Sequence, residues 1–222
     1  MLPVLSFASE KSAGVTPKRF EAKDDSTLSS QEGEIDGEHF LVTISQREGR
    51  SALAVFRRDA GRYVVVGKMN LPLSPPSLVT ARISKNSIFL ETNFCHHGCS
   101  DTRYQFKKIE NIFRLIGIES QNETWCSYYD THAPSDCDYS VRSGNSYNLL
   151  SSTSMCWAEV IAEGKDSEKT QRQYQPRGVQ QKMTFEVIEL PLLDGFNLND
   201  FVLPKSCYFD SNKKYHVYDP QP

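Results

Sequence analysis

The densest concentration of reactive side chains is Cys95-His96-His97-Gly98-Cys99. Two thiolates and two imidazoles this close form a donor set suited to Zn²⁺ or copper. A structural zinc site usually draws on two such clusters, and here the remaining histidines near later cysteines, His132 and His216, stand alone. The competing chemistry is oxidation of Cys95 with Cys99 across a tight turn, with Gly98 relieving backbone strain. On that reading His96 and His97 are surface groups, and neither metal nor cofactor is expected.

Asp130, Asp136 and Asp138 offer oxygen ligands of the kind Ca²⁺ takes. The calcium-loop pattern with its Gly and terminal Glu is missing, which favours a solvated acidic loop. The same stretch reads better as a recognition surface. Tyr128, Tyr129, Asp130, His132, Asp136, Asp138 and Tyr139 combine rigid amphipathic rings with acids that complement a basic protein partner. A decorated loop without a partner is the plainer alternative.

For catalysis the sequence contains no G-x-S-x-G elbow, P-loop or G-x-G-x-x-G. A carboxylate pair for glycoside hydrolysis cannot be singled out among 28 acids without geometry. Asn122-Glu123-Thr124 fits a glycosylation sequon, a triplet common by chance. No catalytic residue is assigned, and the chain is expected not to be an enzyme.

Six cysteines, Cys95, Cys99, Cys126, Cys137, Cys156 and Cys207, lie mostly in turn-rich stretches. That count suits three disulfides in an oxidising compartment, and the alternative is a set of reduced, mostly buried thiols. Locality favours Cys95 with Cys99 and Cys126 with Cys137, which leaves Cys156 for Cys207. The last would close the longest loop and contribute on the order of 4 kcal/mol. Leu2-Pro3-Val4-Leu5-Ser6-Phe7-Ala8 reads like the tail of a signal-peptide apolar region, with Ser6 and Ala8 where small residues precede cleavage. No cysteine follows that point, so a lipid anchor there is not expected. The expected location is periplasmic or secreted.

The elements that must carry these groups are short. At 222 residues, 38% hydrophobic and 11% aromatic, the chain has material for a core in one domain. A net charge of −3 argues against a general nucleic-acid binder. No apolar run approaches the roughly 20 residues of a membrane span. Residues 1–36 read as a signal-peptide remnant and mobile polar leader, 37–205 as a single β-rich domain, and 206–222 as a tail pinned by Cys207.

Strands are expected over 40–45, 52–58, 63–68, 78–84, 87–92, 104–108 and 113–119, with turns at Asp59-Ala60-Gly61, Lys85-Asn86 and Glu110-Asn111. Tyr104 and Phe106 alternate with Arg103, Gln105 and Lys107, the period-two pattern of a half-buried strand. A long excursion is expected from Asn122 to Asn145, then strands over 146–151, 155–162 and 182–189. The stretch 163–180 reads as an exposed loop and 197–201 as one helical turn. The fold class is therefore mainly β, an antiparallel meander, sandwich or barrel stapled by disulfides. Arg62-Tyr63-Val64-Val65-Val66-Gly67 and Phe113-Arg114-Leu115-Ile116-Gly117 look like variants of one hairpin theme, so a propeller-like repeat is a further form of that class.

Tyr104-Gln105-Phe106 with Phe113-Arg114-Leu115-Ile116-Gly117, and Ser146-Tyr147-Asn148-Leu149-Leu150-Ser151-Ser152 after it, resemble a strand pair and a following segment in uncharacterised exported bacterial proteins. Ser152 stands where that group has Gly. Leu190-Pro191-Leu192-Leu193-Asp194 and Asn199-Asp200-Phe201 look like the group's proline and acidic-aromatic ending. The likeness covers roughly residues 40–204. Some members look like periplasmic immunity proteins that neutralise cell-wall-degrading effectors and resemble lysozyme inhibitors. The resemblance implies a β-rich exported protein that sterically blocks a peptidoglycan-degrading enzyme. A secreted hydrolase with dispersed carboxylates and an envelope structural protein are the alternatives.

Overall fold

The computed structural model describes residues 26–47, 50–71, 78–95, 98–125, 139–162, 179–186, 189–198, 206–209 and 215–218. Four strands form one antiparallel meander: β1 (Ser26–Ile35), β2 (Glu38–Arg47), β3 (Arg50–Asp59) and β4 (Arg62–Leu71). Seven more form a second: β5 (Leu78–Ser84), β6 (Ser87–Cys95), β7 (Gly98–Ile109), β8 (Ile112–Trp125), β9 (Tyr139–Asn148), β10 (Thr153–Ala162) and β11 (Val179–Thr184). A two-stranded ribbon, β12 (Ser206–Phe209) with β13 (Tyr215–Tyr218), packs on β9 and β10. The expected β class therefore holds, as two open sheets and not as a closed barrel.

Local chemistry sets the hairpins. Asp36-Gly37, Ala60-Gly61, Lys85-Asn86 and Glu110-Asn111 all have positive φ at both central residues. That is the type I′ geometry whose twist matches paired strands. The two tracts that looked alike in sequence occupy equivalent places. Each forms the start of the fourth strand of a meander, and each carries a bulge. Val55 pairs with Gly67 and Phe56 with Val65, leaving Val66 unmatched; Gln105 pairs with Gly117 and Phe106 with Leu115, leaving Ile116 unmatched. The second meander runs on into three further strands, however, and the sheets enclose one core instead of forming separate blades.

Alternating inward residues build that core: Phe40, Val42, Ile44, Leu53, Val55 and Met69 from the smaller sheet, and Ile88, Leu90, Phe106, Leu115 and Ile118 from the larger. Phe40 meets Phe113 edge-to-face across it, with centroids 5.5 Å apart. A segment from Leu190 to Asn197 then straps the sheets together. β9 pairs with β8 only from Gly117 onward, so Ile112–Ile116 has an open edge. Leu115 N–H donates to the Pro191 carbonyl at 2.8 Å, and Leu193 N–H to the Phe113 carbonyl at 2.8 Å. The chain turns, and Gly195 N–H donates to the Lys68 carbonyl on β4 at 2.9 Å. Leu193 is fully buried, and Phe196 sets its ring against Phe106 at 5.9 Å.

Several boundaries differ from the sequence reading. Ser26–Ile35 is a strand and not part of a mobile leader. Among its described residues Ile35 alone is buried, and Gln31 accepts the Ile83 N–H of β5 at 3.0 Å, joining the edges of the two sheets. Residues 122–125 and 139–145 belong to β8 and β9, which shortens the excursion to 126–138. Leu149–Ser152 is a turn, with Ser152 at positive φ, so the strand expected over 146–151 ends at Asn148. The last long strand lies at Val179–Thr184 and not at 182–189, where β10 fixes its register from Ala158 back to Thr153. Asn197 bridges Asn70 of β4 instead of starting a helical turn; 199–201 lie outside the described residues. Part of the 206–222 tail is the β12–β13 ribbon.

Candidate binding groove

The cysteine turn is settled chemically. Cys95 and Cys99 face each other across the β6–β7 hairpin and are disulfide-bonded. Cys156, fully buried on β10, is also disulfide-bonded. Its partner, and the side chains of Cys126, Cys137 and Cys207, lie outside the described residues, as do His96 and His97. Among the described residues no group of three metal-ligating side chains comes together. Tyr128, Tyr129, Asp130, His132, Asp136 and Asp138 also lie outside them. Of Tyr139 the backbone is placed, opposite Ala162 at the start of β9. The chain leaves the large sheet at Trp125 and rejoins it at Tyr139.

The outer face of the seven-stranded sheet holds a groove of about 680 Å³. Its floor follows from register. Thr80, Glu91, Arg103, Glu119, Ser146 and Met155 stand side by side across β5 to β10. One pleat further, Leu78, Asn93, Asp101, Gln121, Gly144 and Trp157 form a parallel row. Side chains two apart on a strand share a face, so both rows point outward.

Charges alternate along this floor. Glu91 Oε1 accepts from Arg103 Nε at 2.7 Å and from Arg82 Nη2 at 3.2 Å, while Arg103 Nη1 donates to Glu119 at 3.0 Å. Partial burial opposes ionisation of Glu91, but the two guanidiniums outweigh it and hold the carboxyl below its ordinary range. Arg82 also lies over the Phe89 ring at 4.6 Å from its centroid. Asn93 donates its amide to Asp101 in the next row. At the far end the Trp157 indole packs against Gly144, where only hydrogen leaves room for it. A second hollow of about 400 Å³ adjoins the groove, and the two share Arg103, Glu119 and Ser146.

None of these groove residues stood out from sequence. Their types are ordinary on a solvated face, and only cross-strand register assembles them. Comparison with protein-family models, curated proteins and solved structures finds no match to this chain.

Proposed function

We propose that the protein is an exported, disulfide-stapled binding protein, located in a periplasm or outside the cell, whose working surface is the outer face of the seven-stranded sheet. Its specific form is an immunity protein or inhibitor: the tyrosine-rich, acidic excursion between β8 and β9 enters the cleft of a peptidoglycan-degrading, lysozyme-like enzyme, and the adjoining face meets the rim. The observation that carries this reading is the Arg82–Glu91–Arg103–Glu119 ladder. It is a fixed array of hydrogen-bonding charges on rigid strands, ending on the same strand β8 from which the excursion departs, and such preorganised polar surfaces suit specific association.

The hydrolase alternative needs a carboxyl held protonated by its surroundings, with its pKa raised. Glu91 is shifted the opposite way and so does not meet that requirement. The test is a turbidity assay of peptidoglycan lysis by a muramidase, an amidase and an endopeptidase, each with rising amounts of the full chain. Stoichiometric inhibition of one enzyme supports the proposal. Lysis unaffected at excess protein, with no complex detected for any of the three, overturns it.

A further inference from the structure

We infer that the 680 Å³ groove is a carbohydrate site that takes a short, uncharged oligosaccharide lying across strands β5 to β10. This goes beyond the inhibitor reading and requires no protein partner.

The groove's size falls within the range of about 300–1,000 Å³ typical of small-ligand pockets. Strands in a sheet are about 4.8 Å apart, so a groove crossing from β5 to β10 extends about 24 Å, long and shallow like a glycan chain. Its charges are largely engaged already: Glu91 pairs with Arg103 and with Arg82 of the adjoining hollow, Glu119 pairs with Arg103, Asp101 takes the Asn93 amide, and the carboxylates are in excess. A phosphate or carboxylate ligand would find no net attraction. An apolar ligand would have to strip water from these ion-paired groups without replacing their hydrogen bonds.

A peptide strand fits poorly too. Peptides commonly add to a sheet edge, where main-chain donors and acceptors are free. The groove instead lies on a face, over backbone already paired from β5 through β11.

Sugar hydroxyls match what remains. Asp101 and Asn93 are planar groups fixed against one another, and Gln121 beside them makes no side-chain hydrogen bond among the described residues. Planar amides and carboxylates can engage two vicinal hydroxyls at once, one donating and one accepting. The apolar C–H face of a pyranose needs a flat partner, and Trp157 supplies it. Its indole is held from beneath by Gly144 and forms one wall of the groove. The polar row and the indole lie in one line, which is how a chain of linked rings presents its hydroxyls and its C–H faces.

The test is calorimetric titration of the full chain with tetrasaccharides of N-acetylglucosamine, glucose and mannose. A sulfated tetrasaccharide is the charged comparison, and the Trp157 indole N–H resonance is followed in a Trp125→Phe background. One neutral tetrasaccharide is expected to bind and shift that resonance. Trp157→Ala should weaken binding about tenfold or more. Gln121→Leu, which leaves the indole and the ion pairs in place, should also weaken it. Absence of neutral-glycan binding at millimolar ligand overturns the inference, as does binding that leaves the indole resonance unmoved or a preference for the sulfated probe. Inhibition of a wall-degrading enzyme without glycan binding would leave the function proposed above standing and remove this site alone.

Discussion

Trp157 lies over Gly144, its direct cross-strand partner, so that a single methyl group on the glycine would occupy the space of the indole ring. The pair shows how the fold builds its surface. β9 gives up a side chain where β10 places a large ring. Gly144→Ala must displace the ring, which stands on the outer face and can turn toward solvent, so the cost should be at or below about 1 kcal/mol. The expected outcome is a lower thermal midpoint together with a changed Trp157 fluorescence, read in the Trp125→Phe background.

The contact between the sheets makes a similar demand. A Cβ on Gly33 would stand 2.8 Å from Ile83 Cβ, and one on Gly67 would stand 2.9 Å from Leu193 Cδ2. Ile83 Cβ is tied to the β5 backbone, whereas Leu193 Cδ2 is the end of a side chain. Both alanine variants should be destabilised, Gly33→Ala more than Gly67→Ala, within about 1–3 kcal/mol for each. Urea denaturation of the two variants checks the order.

How much of this was legible beforehand follows from the turns. Lys85-Asn86 and Glu110-Asn111 mark their hairpins in sequence because Asn accepts positive φ. Counting back from Lys85-Asn86 would have placed Glu91 opposite Thr80 and Arg82 opposite Phe89. The β7–β8 pairing resists the same counting, because the bulge at Ile116 shifts the register by one residue before it reaches Glu119. Ser26–Ile35 was hidden for another reason. Its outward Ser and Glu residues mask a strand that buries few side chains, and its register comes from β2. The strap was invisible because Leu190–Asn197 has no period of its own; it takes its conformation from the open edge of β8 and from β4.

Acid stability should depend on the ion pairs. The Lys108 hydrogen bond holds the Glu38 carboxyl below its ordinary value near 4.5, and Arg103 with Arg82 does the same for Glu91 against the effect of burial. A carboxyl whose pKa falls on folding adds stability above its unfolded pKa and loses it as pH falls through the folded one. Stability is therefore expected to hold above about pH 4.5 and to decline below it. Glu91→Gln should flatten part of that acid limb. Thermal midpoints measured from pH 6 down to pH 2 check this, and an acid limb with the same slope in Glu91→Gln would count against the ladder's role.

The two observed disulfide positions should differ in effect. The Cys95–Cys99 bridge closes a very short loop and is expected to contribute on the order of 2 kcal/mol. Cys156 is fully buried in a bridged state, so Cys156→Ser should cost more than Cys95→Ser with Cys99→Ser. Peptide mapping of unreduced protein by mass spectrometry, paired with thermal midpoints, tests both statements.

Binding through the outer face of the large sheet is the claim on which the functional account stands. The direct measurement is inhibition of peptidoglycan lysis by Arg103→Ala and Trp157→Ala beside a control, Val65→Ser, on the exposed part of β4 in the other sheet. The account predicts that the first two lose potency while the control retains it, with all three folded by circular dichroism. Equal potency of the groove variants and the unaltered chain would contradict it.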